Sequence, residues 1–283
     1  MNLVGACWMR RSLDEPISAL LLTQNQALVA GGWNGRLAKW NASGDLQWSV
    51  ELPDRIGSIS VDENTVYVTA GLHLCAINST DGDVMWQHPL EGSADIVTVS
   101  NGLVYATSSV YDIEHNDFID SAIWCFDLSG TQMWVIHMPE RPWTLNLHDS
   151  LLYLGLGRPK MGVAVISPVG EISHQKLDSN APVTASARFN GEIIFAHANG
   201  ELTNLSGKLC SGNGESVNTI IGLEDQILTS TNNKTTLLDI DYQHMAQLTP
   251  GDITAISVCL RLDGNITYWC GIQDSSRVLL KVL

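Results

Sequence analysis

Residues Ile77–Gln87 read INSTDGDVMWQ. An apolar residue and Asn78 lead into a turn rich in Ser, Thr, Asp and Gly, and Trp86 follows four residues after Gly82. Asn, Asp and Gly tolerate the left-handed backbone that a tight hairpin needs, while flanking apolar residues suit a pleated strand. The stretch is therefore a β-hairpin. It recurs as WNASGDLQWS over Trp40–Ser49 and as FDLSGTQMWV over Phe126–Val135, each with a Gly four residues before its Trp.

A second recurring element sets the period. Short apolar strands, each preceded by a turn, centre on Leu28, Tyr67, Tyr105, Tyr153, Phe195, Leu228 and Tyr268, spaced by 39, 38, 48, 42, 33 and 40 residues. A unit of about 40 residues holding four short strands is the signature of a β-propeller blade. A helical repeat of this length needs apolar residues at three-and-four spacing, which these segments lack. The sequence thus predicts an all-β, seven-bladed propeller of four-stranded antiparallel blades, one domain over residues 1–283. The blades fall near 17–54, 55–92, 93–140, 141–179, 180–215, 216–252 and 253–283, the last completed by 1–16.

With strands lettered A to D from the axis outward, the hairpin above joins C to D and puts its Trp on strand D. Equivalent positions are Trp8, Trp48, Trp86, Trp134, His174, Ser211 and Ala246, so the signal fades after the third complete copy. The ends pose a closure problem, because RVLLKVL supplies one strand after Tyr268 and an orphan strand opens the sequence. Pairing them removes an exposed edge, and residues near Ala6 to Ser12 are expected to be strand D of the blade built from Ile253 to Leu283.

At this level of detail the motif resembles the pyrroloquinoline-quinone-like (quinoprotein dehydrogenase-like) β-propeller repeat. The residues that carry the likeness are Ala76-Ile77-Asn78 with Asp81-Gly82 and Trp86, then Phe126-Asp127 with Gly130 and Trp134, and Trp40-Asn41 with Gly44 and Trp48. The resemblance implies the scaffold more than an activity. That family holds quinone-dependent alcohol and sugar dehydrogenases as well as non-catalytic members, such as the lipoprotein that assists outer-membrane protein assembly. Its enzymes typically have eight blades, a calcium held by Glu, Asn and Asp beside the quinone, and in several an adjacent Cys-Cys pair. No Cys-Cys pair or matching calcium triad maps onto this sequence, so the likeness is to the non-catalytic type and no quinone cofactor is expected.

Composition narrows the partners. Thirty acidic against fifteen basic residues give a formal charge of −15, which repels a phosphate backbone and argues against nucleic acid. With 45% hydrophobic residues the protein is able to bury a large core. No apolar run reaches the roughly 20 residues of a membrane span, so membrane insertion is not expected. Val4-Gly5-Ala6-Cys7 resembles a lipoprotein cleavage box, but only three residues precede it, without a basic or apolar region, and a cytoplasmic location is expected. The six cysteines show no Cys-x-x-Cys pair and read as reduced, buried thiols.

In a propeller the D-to-A connections and the B-to-C hairpins share one face, the top. All seven D-to-A connections contain a carboxylate, and Asp14, Asp54, Glu91, Asp95, Glu140, Asp178, Glu215 and Asp252 are predicted to form an acidic crown around the channel, joined by Glu15. A concave mouth focuses such a field and draws a protein or basic peptide. Trp33, Trp143, Arg141, Arg158 and Lys160 map to the same loops as aromatic and basic candidates. The insertion VYDIEHNDFIDSA over Val110–Ala122 places Asp112, Glu114, Asn116 and Asp120 at alternate residues, as in calcium loops, although Asp117 and Ile123 replace the Gly and Glu of an EF-hand. Calcium is the one candidate cofactor. The eight histidines form no close metal pair and read as surface or cap residues.

No nucleophile elbow or phosphate-cradling loop occurs. The expected function is a non-enzymatic protein- or peptide-binding scaffold using the acidic top face. The competing reading is a small-ligand-binding or enzymatic propeller of the sugar or quinone class, with its site at the channel mouth. A pocket where two top-loop carboxylates and an aromatic converge, one carboxyl raised by burial, discriminates the second from the first.

Overall fold

Each repeat folds as four short antiparallel strands in sequence order, and the second shows the pattern: Ile56–Asp62, Thr65–Ala70, His73–Asn78 and Val84–Pro89, strands A to D. The computed structural model describes residues 9–232, 234–248, 253–260, 266–272 and 278–282, with side-chain surroundings through residue 247 except 233 and 246. Blades one to six occupy 17–51, 56–89, 93–138, 142–175, 183–210 and 219–248. Six blades, not the predicted seven, are thus complete as runs of four consecutive strands with their packing described.

The remaining four-stranded sheet is composite. Ile253–Leu260, Ile266–Ile272 and Val278–Val282 are joined by Met9–Ser12, with Met9 opposite Lys281 and Ser12 opposite Val278. Only its backbone pairing is described. The correction has a topological reason: counting one strand B per period registers Tyr268 as a seventh run of four, whereas the sheet that holds Tyr268 has three consecutive strands and takes its fourth from the other end of the sequence. Trp8 and Ala6 lie outside the described residues.

The core sits between blades. Val29, Leu37 and Trp48 of blade one pack with Val66, Val68 and Ile77 of blade two, and Tyr67, Leu74 and Ala76 of blade two pack with Val104, Trp124 and Phe126 of blade three. Inner strands are therefore covered on both faces; Leu28–Gly32 is buried at every position, whereas the outer strand Ile172–Gln175 is exposed at every position. Runs covered on both faces read as continuously apolar rather than alternating. Among the described residues no helix is long and apolar enough to cross a membrane.

The recurring hairpin has a packing role. Trp48 of blade one donates its indole N–H to the Ser79 carbonyl of blade two, at 2.9 Å, and Trp86 donates to the Leu128 carbonyl of blade three, at 3.0 Å. Each ring lies against the turn glycine of the next blade: a Cβ on Gly82 would come 3.0 Å from the Trp48 ring, and one on Gly130 would come 2.8 Å from that of Trp86. Both glycines hold positive φ, +85° and +88°. The Gly permits the turn and the close approach, and the Trp fastens neighbouring blades.

A second device recurs at the axis. In blades one to five the register of strand A against strand B skips one residue near its start, leaving Ser18, Gly57, Asp95, Trp143 and Thr184 as β-bulges. A bulge bends the strand and re-aims a side chain, and here the bulges lie beside the D-to-A connections. They also meet neighbouring blades: Ser18 Oγ donates to Ile56 O at 2.7 Å and Thr184 Oγ1 to Val217 O at 2.6 Å.

Candidate functional site

Two of the five bulge residues differ chemically from the rest, and the site grows from them. Asp95 carries a carboxylate whose side chain is only 9% exposed; Arg141 Nη2 donates to its Oδ1 at 2.6 Å and Ser109 Oγ to its Oδ2 at 2.5 Å. Burial is the largest influence on this carboxyl and raises it above its ordinary value, opposed by Arg141, Ser109 and then Arg55. Trp143 is half-exposed, with the Arg141 guanidinium 4.4 Å from its ring centre. The same guanidinium lies 4.1 Å from the centre of the Phe118 ring, and Phe118 meets Trp143 edge-on.

Across the mouth the pattern repeats. The exposed Arg55 stacks 3.8 Å from the centre of Trp33, itself half-exposed. Burial of the group and the nearby Arg141 charge lower the Arg55 guanidinium, while Asp95 raises it. A cavity of about 490 Å³ opens here, lined by Asp54, Arg55, Asp95, Tyr111, Arg141 and Trp143 among others. A neighbouring cavity of about 290 Å³ shares Phe118, Arg141 and Trp143 as a wall and reaches Glu140, Arg158 and Thr184. Glu140 is buried, its Oε2 meets no hydrogen-bond partner, and Lys160 Nζ stands 3.8 Å from Oε1.

The predicted crown is distributed rather than gathered. Asp14 accepts from Ser12 Oγ and stands 3.5 Å from Arg36, while Glu215 lies 2.6 Å from Lys234, which lowers its carboxyl. Glu15 is buried and fastens the first B-to-C hairpin by accepting the Asn34 and Arg36 backbone N–H groups. Asp54 is exposed and accepts the Arg55 N–H at 2.7 Å. Glu91 and Asp178 are exposed, Glu91 with His137 Nδ1 3.8 Å away. Asp252 lies outside the described residues. Of the eight carboxylates, Asp54 and Asp95 meet at one cavity, and Glu140 lines the next.

The insertion hairpin uses several of its side-chain oxygens on its own groups. Asp112 accepts the Glu114 and His115 N–H groups and meets the His115 ring at 2.8 Å, which lowers its carboxyl. Asn116 Oδ1 accepts from the Tyr111 hydroxyl, and Asp120 accepts the Ser121 N–H. Among the described residues no three His, Cys, Asp or Glu side chains gather as a metal set. What the insertion contributes instead is Tyr111 and Phe118, which meet 5.2 Å apart beside the cavity.

Arg55, Tyr111 and Phe118 are the mouth residues the sequence reading passed over. For Arg55 a signal was present: Pro53-Asp54-Arg55 and Pro139-Glu140-Arg141 repeat the same tripeptide type in two D-to-A connections. Elsewhere His197 is a buried cap, its Nδ1 2.9 Å from Ala181 O and its Nε2 2.9 Å from Thr203 Oγ1. Cys75 and Cys125 are free and buried, and burial pushes their thiols up to about 12 and about 11. A thiol held that high stays protonated and poorly nucleophilic.

Guanidiniums beside aromatic rings, together with carboxylates, equip the top face of this propeller for cation–π contact and ion pairing. The sequence matches the family model described as outer membrane protein assembly factor BamB over residues 8–95 and 33–241, most of its length, and the protein belongs to that pyrroloquinoline-quinone-like repeat family. In structure it is similar to BamB from Moraxella catarrhalis, at TM-score 0.60 and 15% identity over 94% of this chain and 85% of that one. It is equally similar in kind to the computationally designed Ika8 protein, at TM-score 0.69 and 13% identity over 96% and 98%. At such identities the likeness is one of fold. A search of curated proteins found no match.

Proposed function

We propose that this propeller is a protein-binding scaffold whose contact surface is the top face, centred on the mouth formed by Trp33, Arg55, Asp95, Arg141 and Trp143. Membership of a family named for an assembly factor supports a protein partner. The observation that carries the choice of face is the pair of half-exposed tryptophans, each with an arginine guanidinium over its ring, on different blades. Rigid aromatic anchors of this kind dominate the energetics of protein interfaces. The exposed Asp54, Glu91 and Asp178 supply a negative rim that steers basic segments toward the mouth.

Pull-down from the native source tests this reading, comparing the unaltered protein with Trp33→Ala/Trp143→Ala and with Asp54→Asn/Glu91→Gln/Asp178→Asn. A partner retained by the first, lost by the tryptophan variant and captured more slowly by the rim variant supports it. An identical set of partners on all three, with melting temperatures unchanged, rejects it.

A small-ligand site is the second reading, and one observation favours it. The cavity of about 490 Å³ brings two top-loop carboxylates, Asp54 and Asp95, together with Tyr111 and Trp143, and burial raises the Asp95 carboxyl. A melting-temperature screen against monosaccharides and quinones separates the two, since a stabilising ligand belongs to the second alone.

A further inference from the structure

We infer that the cavity of about 290 Å³ beside the mouth receives a tyrosine side chain of the partner protein, its ring against apolar walls and its hydroxyl meeting Glu140 and Arg141. The inference rests on the scaffold reading and names the chemistry of one anchor.

Glu140 is 8% exposed, yet its Oε2 has no hydrogen-bond partner among the described residues, and its Oε1 stands 3.8 Å from Lys160 Nζ, longer than a hydrogen bond. A carboxylate buried in this way carries a desolvation cost that a donor brought by a ligand offsets. Arg141 adds the converse. It gives Nη2 to Asp95, while its buried Nε has no acceptor. Glu140 and Arg141 line the same cavity, so a residue with an unmet acceptor and one with an unmet donor share a single site.

Charge and shape choose the occupant. The charged residues lining the cavity balance, Asp117 and Glu140 against Arg141 and Arg158, and beyond them Lys160 faces Glu140 as Asp95 faces Arg141. A neutral group therefore fits. It must both donate and accept, which admits a hydroxyl or a carboxamide and excludes the donor-only indole, ammonium and guanidinium and the acceptor-only carboxylate. An imidazole beside a buried carboxylate is drawn to its protonated, donor-only form. Phe118, Pro139, Trp143, Pro159 and Pro182 supply the walls, against which a short Ser or Asn side chain makes few contacts. Tyrosine joins an apolar ring to a polar tip that gives and takes hydrogen bonds.

Two blocked peptides test this, acetyl-Lys-Ala-Tyr-Ala-Lys-amide and its Phe counterpart, titrated against the protein and followed by tryptophan emission. The hydroxyl is expected to make the Tyr peptide bind roughly tenfold more tightly. Glu140→Leu is expected to abolish that difference without lowering the melting temperature, since it removes a buried carboxylate whose Oε2 has no donor. Where Glu140→Leu does lower the melting temperature, Glu140→Gln decides, and it is expected to narrow the preference severalfold in a stable protein. Equal affinity for the two peptides, or a preference that survives the deciding substitution, overturns the inference. Titration of p-cresol alone tests the source: affinity equal to that of the Tyr peptide assigns the cavity to a free phenol and overturns the protein anchor. If the peptides bind equally yet both are lost in Trp33→Ala, the tyrosine pocket falls and the scaffold reading stands. Binding of neither peptide also overturns the inference, and the pull-down then judges the scaffold reading separately.

Discussion

Arg141 Nη2 lies 2.6 Å from Asp95 Oδ1, an ion pair that ties the connection entering blade four to the bulge of blade three. Both side chains are largely covered, at 21% and 9% exposure. Removing one partner of such a pair leaves an uncompensated charge in a poorly solvated place. Arg141→Ala is expected to lower unfolding free energy by about 3 kcal/mol in urea titration, and Arg141→Ala/Asp95→Asn to recover part of that loss. Equal losses in the single and double variants count against the coupling.

Blade-to-blade fastening by the repeated hairpin gives a ranked expectation. Trp48 is 6% exposed and hydrogen-bonded to Ser79 O, so Trp48→Ala is expected to cost about 3–5 kcal/mol. Gly82→Ala keeps the ring but places a Cβ at φ +85° and 3.0 Å from it, at an expected cost of about 1–2 kcal/mol. Because the two changes act on one contact, their sum is expected to exceed the loss in the double variant. Additive losses in a denaturation series disprove the shared contact.

Acid sensitivity is expected in two steps, both from blade five. Burial holds the His197 ring below its ordinary 6.5. A histidine depressed on folding contributes stability that is present above its unfolded value and lost as pH falls through the folded one. Lys208, Ser179 and Asn199 hold the Glu201 carboxyl down from 4.5 to about 2, so its contribution is complete above 4.5 and disappears as pH falls toward about 2. Melting temperature followed from about pH 7 to about pH 3 is expected to fall in both windows, His197→Gln to flatten the first and Glu201→Gln the second.

Truncation probes the composite sheet. Deleting residues 1–12 removes the strand opposite Val278–Lys281 and bares the edge of Val278–Val282. A fall of roughly 5 °C or more in melting temperature is expected, with a rise in aggregation. No change shows that the pairing contributes nothing to stability.

Sequence by itself determined the all-β class, the unit of about 40 residues and the family motif. Those follow from local chemistry: Gly and Asn at left-handed turns, alternation of strands, a Trp at fixed spacing. It also named Asp95, Arg141, Trp33 and Trp143 as top-face residues, because connections between lettered strands fall on known faces. Only the tertiary structure decided which of them meet. Register skips put Asp95 and Trp143 outside their ladders, and stacking then drew in Arg55 and Phe118, residues from another blade boundary and from the insertion. Charge counting could not foresee that Asp14 and Glu215 face cations of the same protein, or that Glu15 is spent on a hairpin.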